Sequence, residues 1–195
     1  GGPAAPGPVP GLRPGAVVHT SAVPTANLLD GAGPAWKVRY VSTSWSGRRT
    51  EVSGTITVPR GPAPHGGWPV VTFGSAFQGT ADSCAKSLSG PSPTERLMQE
   101  ALLRAGYVVA VTYFEGIGTP GPASMGHGKA SAEALIDIVR AARQLSHASR
   151  DWAAVGYSLG GQAALFSGAI AREYAPELRA RGVVGLAALG QWEYL

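Results

Sequence analysis

Apolar positions recur along this chain in three rhythms, and each rhythm predicts a different kind of element. In "WKVRYVSTSWSGRRTEVSGTITVP", residues 36 to 59, β-branched and aromatic residues alternate with polar ones, and Ser46-Gly47 stands in the middle. Alternation of period two around a Gly-containing turn predicts an antiparallel hairpin. Short unbroken apolar runs follow at "WPVVTFG" (68 to 74), "YVVAVTY" (107 to 113), "WAAVGY" (152 to 157) and "GVVGLAAL" (182 to 189). Runs of this length without alternation predict strands buried on both faces.

Between these runs the period changes to that of a helix. Residues 92 to 106 carry Ser92 as a cap, Pro93 at the first helical position and Glu95 to close a capping box. Leu97, Ala101 and Leu102 are expected to form the inward face, with Gly106 ending the helix. A second helix is predicted from about Ala130 to Leu145, with Leu135, Ile138, Val139 and Ala142 as its apolar stripe. A third runs from Leu159 to Tyr174 and stops before Pro176. Buried strands alternating with helices from residue 68 onward predict an α/β fold: a mostly parallel sheet flanked by helices, with the N-terminal hairpin adding antiparallel strands. Residues 1 to 15, rich in Pro, Gly and Ala, read as a flexible arm ahead of a domain that begins near residue 16.

Composition narrows the function classes. The 195 residues are 44% apolar and 14% charged, which suits one domain with a core. The net charge of +4 comes from scattered basic residues: Arg48 and Arg49 in a turn, Arg140 and Arg143 on a helix, Arg179 and Arg181 in a loop. With no basic run or aromatic-interleaved stripe they read as solvated surface, and nucleic acid is not an expected partner. No apolar stretch is long enough to span a bilayer. The single cysteine, Cys84, reads either as a buried thiol or as half of a disulfide.

One segment carries chemistry. Gly156-Tyr157-Ser158-Leu159-Gly160 fits G-x-S-x-G where a predicted strand meets a predicted helix. A serine on so sharp a turn projects its oxygen above the sheet, and Gly156 and Gly160 leave room for the crossing backbone. The N–H of Leu159, at the start of the helix, is placed to stabilise an oxyanion. A second donor is expected from the loop within "VVTFGSAFQGTADSC" (70 to 84), at the backbone N–H of Phe77 or Gln78. Gly116 to Gly121 spells G-x-G-x-x-G, but Pro120 and Pro122 delay the next helix. It is read as a Gly/Pro loop and not a dinucleotide site; a serine nucleophile with backbone oxyanion donors implies no metal or organic cofactor.

A base for the serine is harder to find. After Ser158 the chain has no His and no Asp, and His19, His65, His127 and His147 all precede it. His127 is the best placed of them, yet reads as an exposed loop residue; His147 suits a helix C-terminus; Glu115, just after a strand end, could face the site, with the surface as the default.

Several stretches together resemble one family. These are "PGAVV" (14 to 18), "VSGTITVP" (52 to 59), "GGWPVV" (66 to 71), "ADSCAKS" (81 to 87), "GYVVAVTYFEGIGTPG" (106 to 121), "VRAARQL" (139 to 145), "VGYSLGGQAALF" (155 to 166) and "YAPEL" (174 to 178). The chain resembles the secretory lipases, serine α/β-hydrolases that act on triacylglycerols and related esters outside the cell. The resemblance implies an ester or lipid substrate, transient contact with a lipid interface, secretion, Ser158 as nucleophile and an oxyanion contribution from residues 75 to 79. It also implies that Cys84 pairs with a later cysteine. Many relatives carry His-Gly where this chain has Ser75-Ala76. The family continues past the elbow to an acid and a histidine, and "GQWEYL" (190 to 195) does not resemble that continuation, so the sequence is expected to be the N-terminal part of such a fold. An apolar sheet edge and helix face are then expected to be exposed. Two other readings fit the same motif: an acyltransferase on this fold, and a non-catalytic scaffold or inactive fragment.

Overall fold

In the computed structural model the chain is described over residues 11–76, 90–117, 119, 123–124 and 126–188. Phe77, Gln78, Cys84 and residues 1–10 of the expected arm therefore lie outside the described residues. In chain order the elements are β1 (Val17–Ala22), a 3-10 turn at Thr25–Asn27, β2 (Ala32–Thr43), β3 (Arg49–Pro59), β4 (Trp68–Gly74), α1 (Pro93–Arg104), β5 (Val108–Thr112), α2 (Gly128–Leu145), β6 (Ala148–Tyr157), α3 (Leu159–Tyr174) and β7 (Arg179–Leu186).

The seven strands form one sheet in the order β1-β2-β3-β5-β4-β6-β7. β1 through β3 and the β3–β5 pair are antiparallel, while β5, β4, β6 and β7 run parallel. The hairpin turns at Ser44–Arg48 with Gly47 at φ 80°, a left-handed backbone that glycine adopts without cost. β1 adds an outer strand that the N-terminal pattern does not announce, since its residues are mostly exposed.

Each central strand feeds two cores because its side chains alternate across the sheet. On one face Val108 and Ala110 meet α2 and α3 through Leu135, Ile138, Val139 and Ala163. On the other, Val109 and Val111 join Phe73, Leu29 and Leu103 of α1. All four residues of the expected α2 stripe are fully buried.

Helix α1 departs from expectation. Its N-terminus is as predicted, with Ser92 capping and Glu95 closing the box. Its inward face, however, holds Glu95, Gln99, Glu100 and Leu103, while Leu97 and Ala101 face solvent. The reason is that the buried polar groups bind loop backbone: Glu100 Oε1 accepts the Asp30 N–H at 3.1 Å and Glu95 Oε1 accepts the Ala76 N–H at 3.3 Å. The basic residues need a second correction. Arg140 is largely buried, and Arg179 and Arg181 lie on β7, where both pair with Asp151.

β7 is the outer strand on the parallel side; Val184 and Leu186 on it are exposed, as are Leu165 and Phe166 of α3. No described helix is long and apolar enough to cross a membrane.

Candidate active site

β6 ends at Tyr157 and α3 begins at Leu159, so the whole reversal from strand to helix is made at Ser158. Its backbone sits at φ 56°, ψ −120°. An L-residue avoids that region because its Cβ crowds the backbone, and holding one there costs about 1–3 kcal/mol. Neighbouring backbone fixes it: the Ser158 N–H donates to the Leu186 carbonyl at 2.9 Å, and the Ser158 carbonyl accepts from the Gln162 N–H at 3.1 Å.

Three glycines make this close approach sterically feasible. A Cβ on Gly156 would run into the carbonyl of Gly160, and one on Gly160 would run into the carbonyl of Gly74. A Cβ on Gly74 would come within 2.8 Å of the Gly160 carbonyl oxygen. The first turn of α3 thus lies directly on the ends of β4 and β6, which pair in register at Gly74 and Gly156.

The turn leaves the Ser158 side chain half-buried, and its hydroxyl makes no capping bond to the helix. The N–H groups of Leu159, Gly160 and Gly161 precede the first intrahelical donor, Gln162, and surround the positive end of the helix dipole. The non-glycine residues with positive φ among those described are Phe114, Ser158 and Ala187. They follow β5, β6 and β7 respectively, so the strained positions collect at the carboxyl ends of the parallel strands, where open α/β sheets bind ligands.

Other polar groups follow the same strand ends. The Ser75 hydroxyl, just after β4, is buried and has no hydrogen-bond partner. Glu115, expected at the surface, is 7% exposed, and its Oε2 has no partner. The fold buries it because Phe114 and Gly116, both at positive φ, turn the chain inward, where the Ser124 N–H donates to the Glu115 carbonyl. Tyr113 is buried against Thr55, and burial pushes its hydroxyl up to about 12. The sequence marks Glu115 as a residue just after a strand end that could face the site, with the surface as the default; its burial depends on the two left-handed residues around it, which nothing in its neighbours announces.

None of the histidines is hydrogen-bonded to Ser158 among the described residues. His127 caps α2, its Nδ1 accepting the Ala130 N–H at 3.3 Å, and it is exposed. His147 is exposed and its carbonyl accepts the Trp68 N–H, while His19 and His65 face solvent. Among the described residues no group of three or more His, Cys, Asp or Glu side chains is placed to hold a metal. A cleft of about 260 Å³ on the α1 side, lined by Lys37, Thr55, Arg96 and Tyr113 among others, does not include Ser158.

At the far end of α3 lies a side-chain cluster. Asp137, fully buried on α2, accepts hydrogen bonds from Ser42 Oγ at 2.8 Å, Arg140 Nη1 at 2.7 Å and the Tyr174 hydroxyl at 3.0 Å. Arg140 also donates to Glu177 at 2.7 Å and to the Tyr174 carbonyl at 3.0 Å, with its guanidinium 5.0 Å from the Tyr174 ring centre. Burial pushes the Asp137 carboxyl up to about 7, against the pull of Ser42, Arg140 and Tyr174. The cluster gives Asp137 a structural role: it ties α2 to α3 and to β2.

Comparison with known proteins identifies the family and the fold. Residues 89–192, more than half of the chain, match the model of the secretory lipase family. No curated protein sequence matches. Among solved structures, lipase A of Candida antarctica in its closed state superposes with a TM-score of 0.68 at 23% identity, over 86% of this chain and 41% of the lipase. The rice cell wall degrading esterase LipA of Xanthomonas oryzae gives 0.67 at 19% identity, over 87% of this chain and 49% of the esterase. A putative hydrolase of Legionella pneumophila gives 0.63 at 19% identity, over 84% and 50%. At these identities the likeness establishes the fold, and this chain spans half or less of each of these structures.

Proposed function

Because the chain belongs to the secretory lipase family of ester hydrolases, we propose that it carries the nucleophile of a secreted carboxylic-ester hydrolase, Ser158, and acts on lipid esters such as triacylglycerols. Ser158 Oγ adds to the ester carbonyl carbon, the C–O bond to the alcohol breaks, and the alcohol leaves with a proton. Water then cleaves the acyl-enzyme, releasing the acid and restoring the serine hydroxyl. The carbonyl oxygen, negative during each addition, is held by the Leu159 N–H and by a backbone N–H of Phe77 or Gln78. The Ala76 N–H is already given to Glu95, which supports a donor beyond it.

The observation that carries this reading is the backbone of Ser158. A serine that merely capped a helix would sit in extended backbone with its oxygen turned onto the helix N–H groups. Ser158 instead pays a conformational penalty at φ 56° and leaves its hydroxyl uncapped. Such a hydroxyl needs a base and an acid to orient it. None of the four histidines meets it, so the reading draws both groups from polypeptide outside these 195 residues. Tyr157, Leu165 and Phe166, exposed near the turn, suit contact with a lipid surface.

The test is fluorophosphonate labelling of the complete polypeptide in which these residues occur. Stoichiometric labelling that disappears in Ser158→Ala, together with release of fatty acid from an emulsified triacylglycerol, is the expected result. Labelling that persists in Ser158→Ala overturns the assignment. A folded protein that neither labels nor hydrolyses esters favours a scaffold.

A further inference from the structure

The buried face of α1 holds a carboxylate with more to do than cap its own helix. Glu95 is 2% exposed. Its Oε2 accepts from the Ser92 N–H at 3.0 Å and the Ser92 hydroxyl at 2.9 Å, which completes the capping box. Capping uses that one oxygen. The other, Oε1, accepts the N–H of Ala76 at 3.3 Å, nineteen residues earlier in the chain. A carboxylate shared between two backbone segments ties them together through charge-assisted hydrogen bonds.

Ala76 is two residues past Gly74, and Gly74 is the residue on which Gly160 rests. Gly160 is in turn two residues past Ser158. A short, stiff path therefore runs from Glu95 through Ala76 and Gly74 to the turn at Ser158. The loop that leaves β4 is fixed at both ends of this path, by glycine packing on α3 and by the Glu95 carboxylate on α1.

We propose that Glu95 is a positioning residue for acyl transfer: it anchors the loop leaving β4 on α1, and so sets the direction in which that loop sets out toward its oxyanion donor. The inference rests on the proposed role of Ser158 and extends it to a residue that touches no substrate. It also explains why α1 turns Glu95 inward while Leu97 stays in water. Anchoring matters because a displacement of about 1 Å in a catalytic group costs about 10²-fold in rate.

The experiment compares Glu95→Gln with Glu100→Gln in the complete polypeptide. Glu100 is a matched control: it lies on the same helix, is buried, and accepts the Asp30 N–H of a different loop. Two readouts are taken, the rate of fluorophosphonate labelling and hydrogen–deuterium exchange of the peptide ending at Ala76. Glutamine keeps the shape but has one acceptor oxygen, so it cannot serve both Ala76 and Ser92. Glu95→Gln is expected to slow labelling about tenfold or more and to speed exchange at Ala76. Glu100→Gln is expected to leave both within about twofold while lowering stability by a comparable amount. Glu95→Asp, which keeps the charge at a shorter reach, is expected to fall between wild type and Glu95→Gln, and it stands in for Glu95→Gln should that variant fail to fold.

Equal labelling rates for Glu95→Gln and wild type overturn the proposal, as does a loss shared with Glu100→Gln. If the wild type itself does not label, the serine assignment fails separately. Exchange at Ala76 then decides: faster exchange upholds the anchor, and unchanged exchange removes it.

Discussion

Helix α3 starts and finishes on opposite solutions to the problem of ending a helix inside a protein. At its N-terminus the turn is built almost wholly of backbone: a left-handed serine, three glycines in contact and a bond from Ser158 to the Leu186 carbonyl. At its C-terminus the work is done by side chains: Arg140 donates to the Tyr174 carbonyl and lies over its ring, while the Tyr174 hydroxyl reaches the buried Asp137. The first end stores strain and leaves a hydroxyl uncapped. The second satisfies every charge it buries. Strain kept beside an accessible oxygen is what chemistry requires, whereas a paired charge in the core serves only to hold elements together.

The sharpest way to break this contrast is to add one methyl group at the strained end. In Gly160→Ala the new Cβ falls on the carbonyl of Gly74, which is backbone and cannot rotate away. A loss of more than about 4 kcal/mol in chemical denaturation is expected, or no folded protein at all. A variant as stable as wild type would mean that α3 does not rest on β4. At the other end Arg140→Ala removes the cation from a buried carboxylate, and at pH 8 a loss of about 3 kcal/mol is expected.

The side-chain end also has a pH signature that the backbone end lacks. Asp137 titrates near 7 when folded and near 3.8 when unfolded. Between those values the folded chain holds a proton that the unfolded chain has lost, so unfolding releases it and stability falls as pH rises. Above about 7 both states are ionised and the slope vanishes. Wild type is therefore expected to lose stability relative to Asp137→Asn between about pH 4 and pH 7, read as the difference in denaturation midpoints. Arg140→Ala should cost less at pH 5 than at pH 8, because a protonated Asp137 no longer needs the cation. Parallel pH profiles for wild type and Asp137→Asn would contradict this titration.

A smaller effect isolates the strain itself. Ser158→Ala and Ser158→Gly both remove the hydroxyl, but only glycine adopts φ 56°, ψ −120° without crowding. Ser158→Gly is expected to be more stable than Ser158→Ala by about 1 kcal/mol, the relief of about 1–3 kcal/mol being offset in part by glycine's greater freedom when unfolded. If the alanine variant is the more stable, the backbone at 158 is not strained.

These two ends differ equally in how far they were legible. The elbow is local: Gly156, Ser158 and Gly160 stand within five residues, and the strand and helix around them follow from periodicity, so both their boundaries and the direction of the turn could be read. The Asp137 cluster joins residues 42, 137, 140, 174 and 177, and no spacing rule links them. Arg140 therefore passed for a surface residue, and Glu115 did too, hidden by two left-handed residues that only the folded chain shows. Helix α1 failed for another reason. Its apolar stripe was real, but the loops at Asp30 and Ala76 present N–H groups that Glu100 and Glu95 accept. Pairing these part-buried backbone donors with a carboxylate outweighed the apolar pattern, since a hydrogen bond to a charged group is worth about 1.5–3 kcal/mol.

That last trade leads to the smallest expected effect. Leu97 is 67% exposed on α1 and packs in neither core. If α1 is held by what its carboxylates bind and not by its leucine stripe, Leu97→Gln should change stability by no more than about 0.5 kcal/mol, as surface substitutions do. Glutamine is as good a helix former as leucine to within a few tenths of a kcal/mol, so helix propensity does not confound the measurement. Had Leu97 faced inward, as its spacing with Ala101 and Leu102 suggests, burying an amide there would cost at least about 2 kcal/mol. The two orientations of α1 therefore differ about fourfold or more in the effect of one substitution, read from urea denaturation midpoints. A large loss in Leu97→Gln would rotate the helix, take Glu95 away from Ala76 and remove the anchor on which the loop after β4 depends.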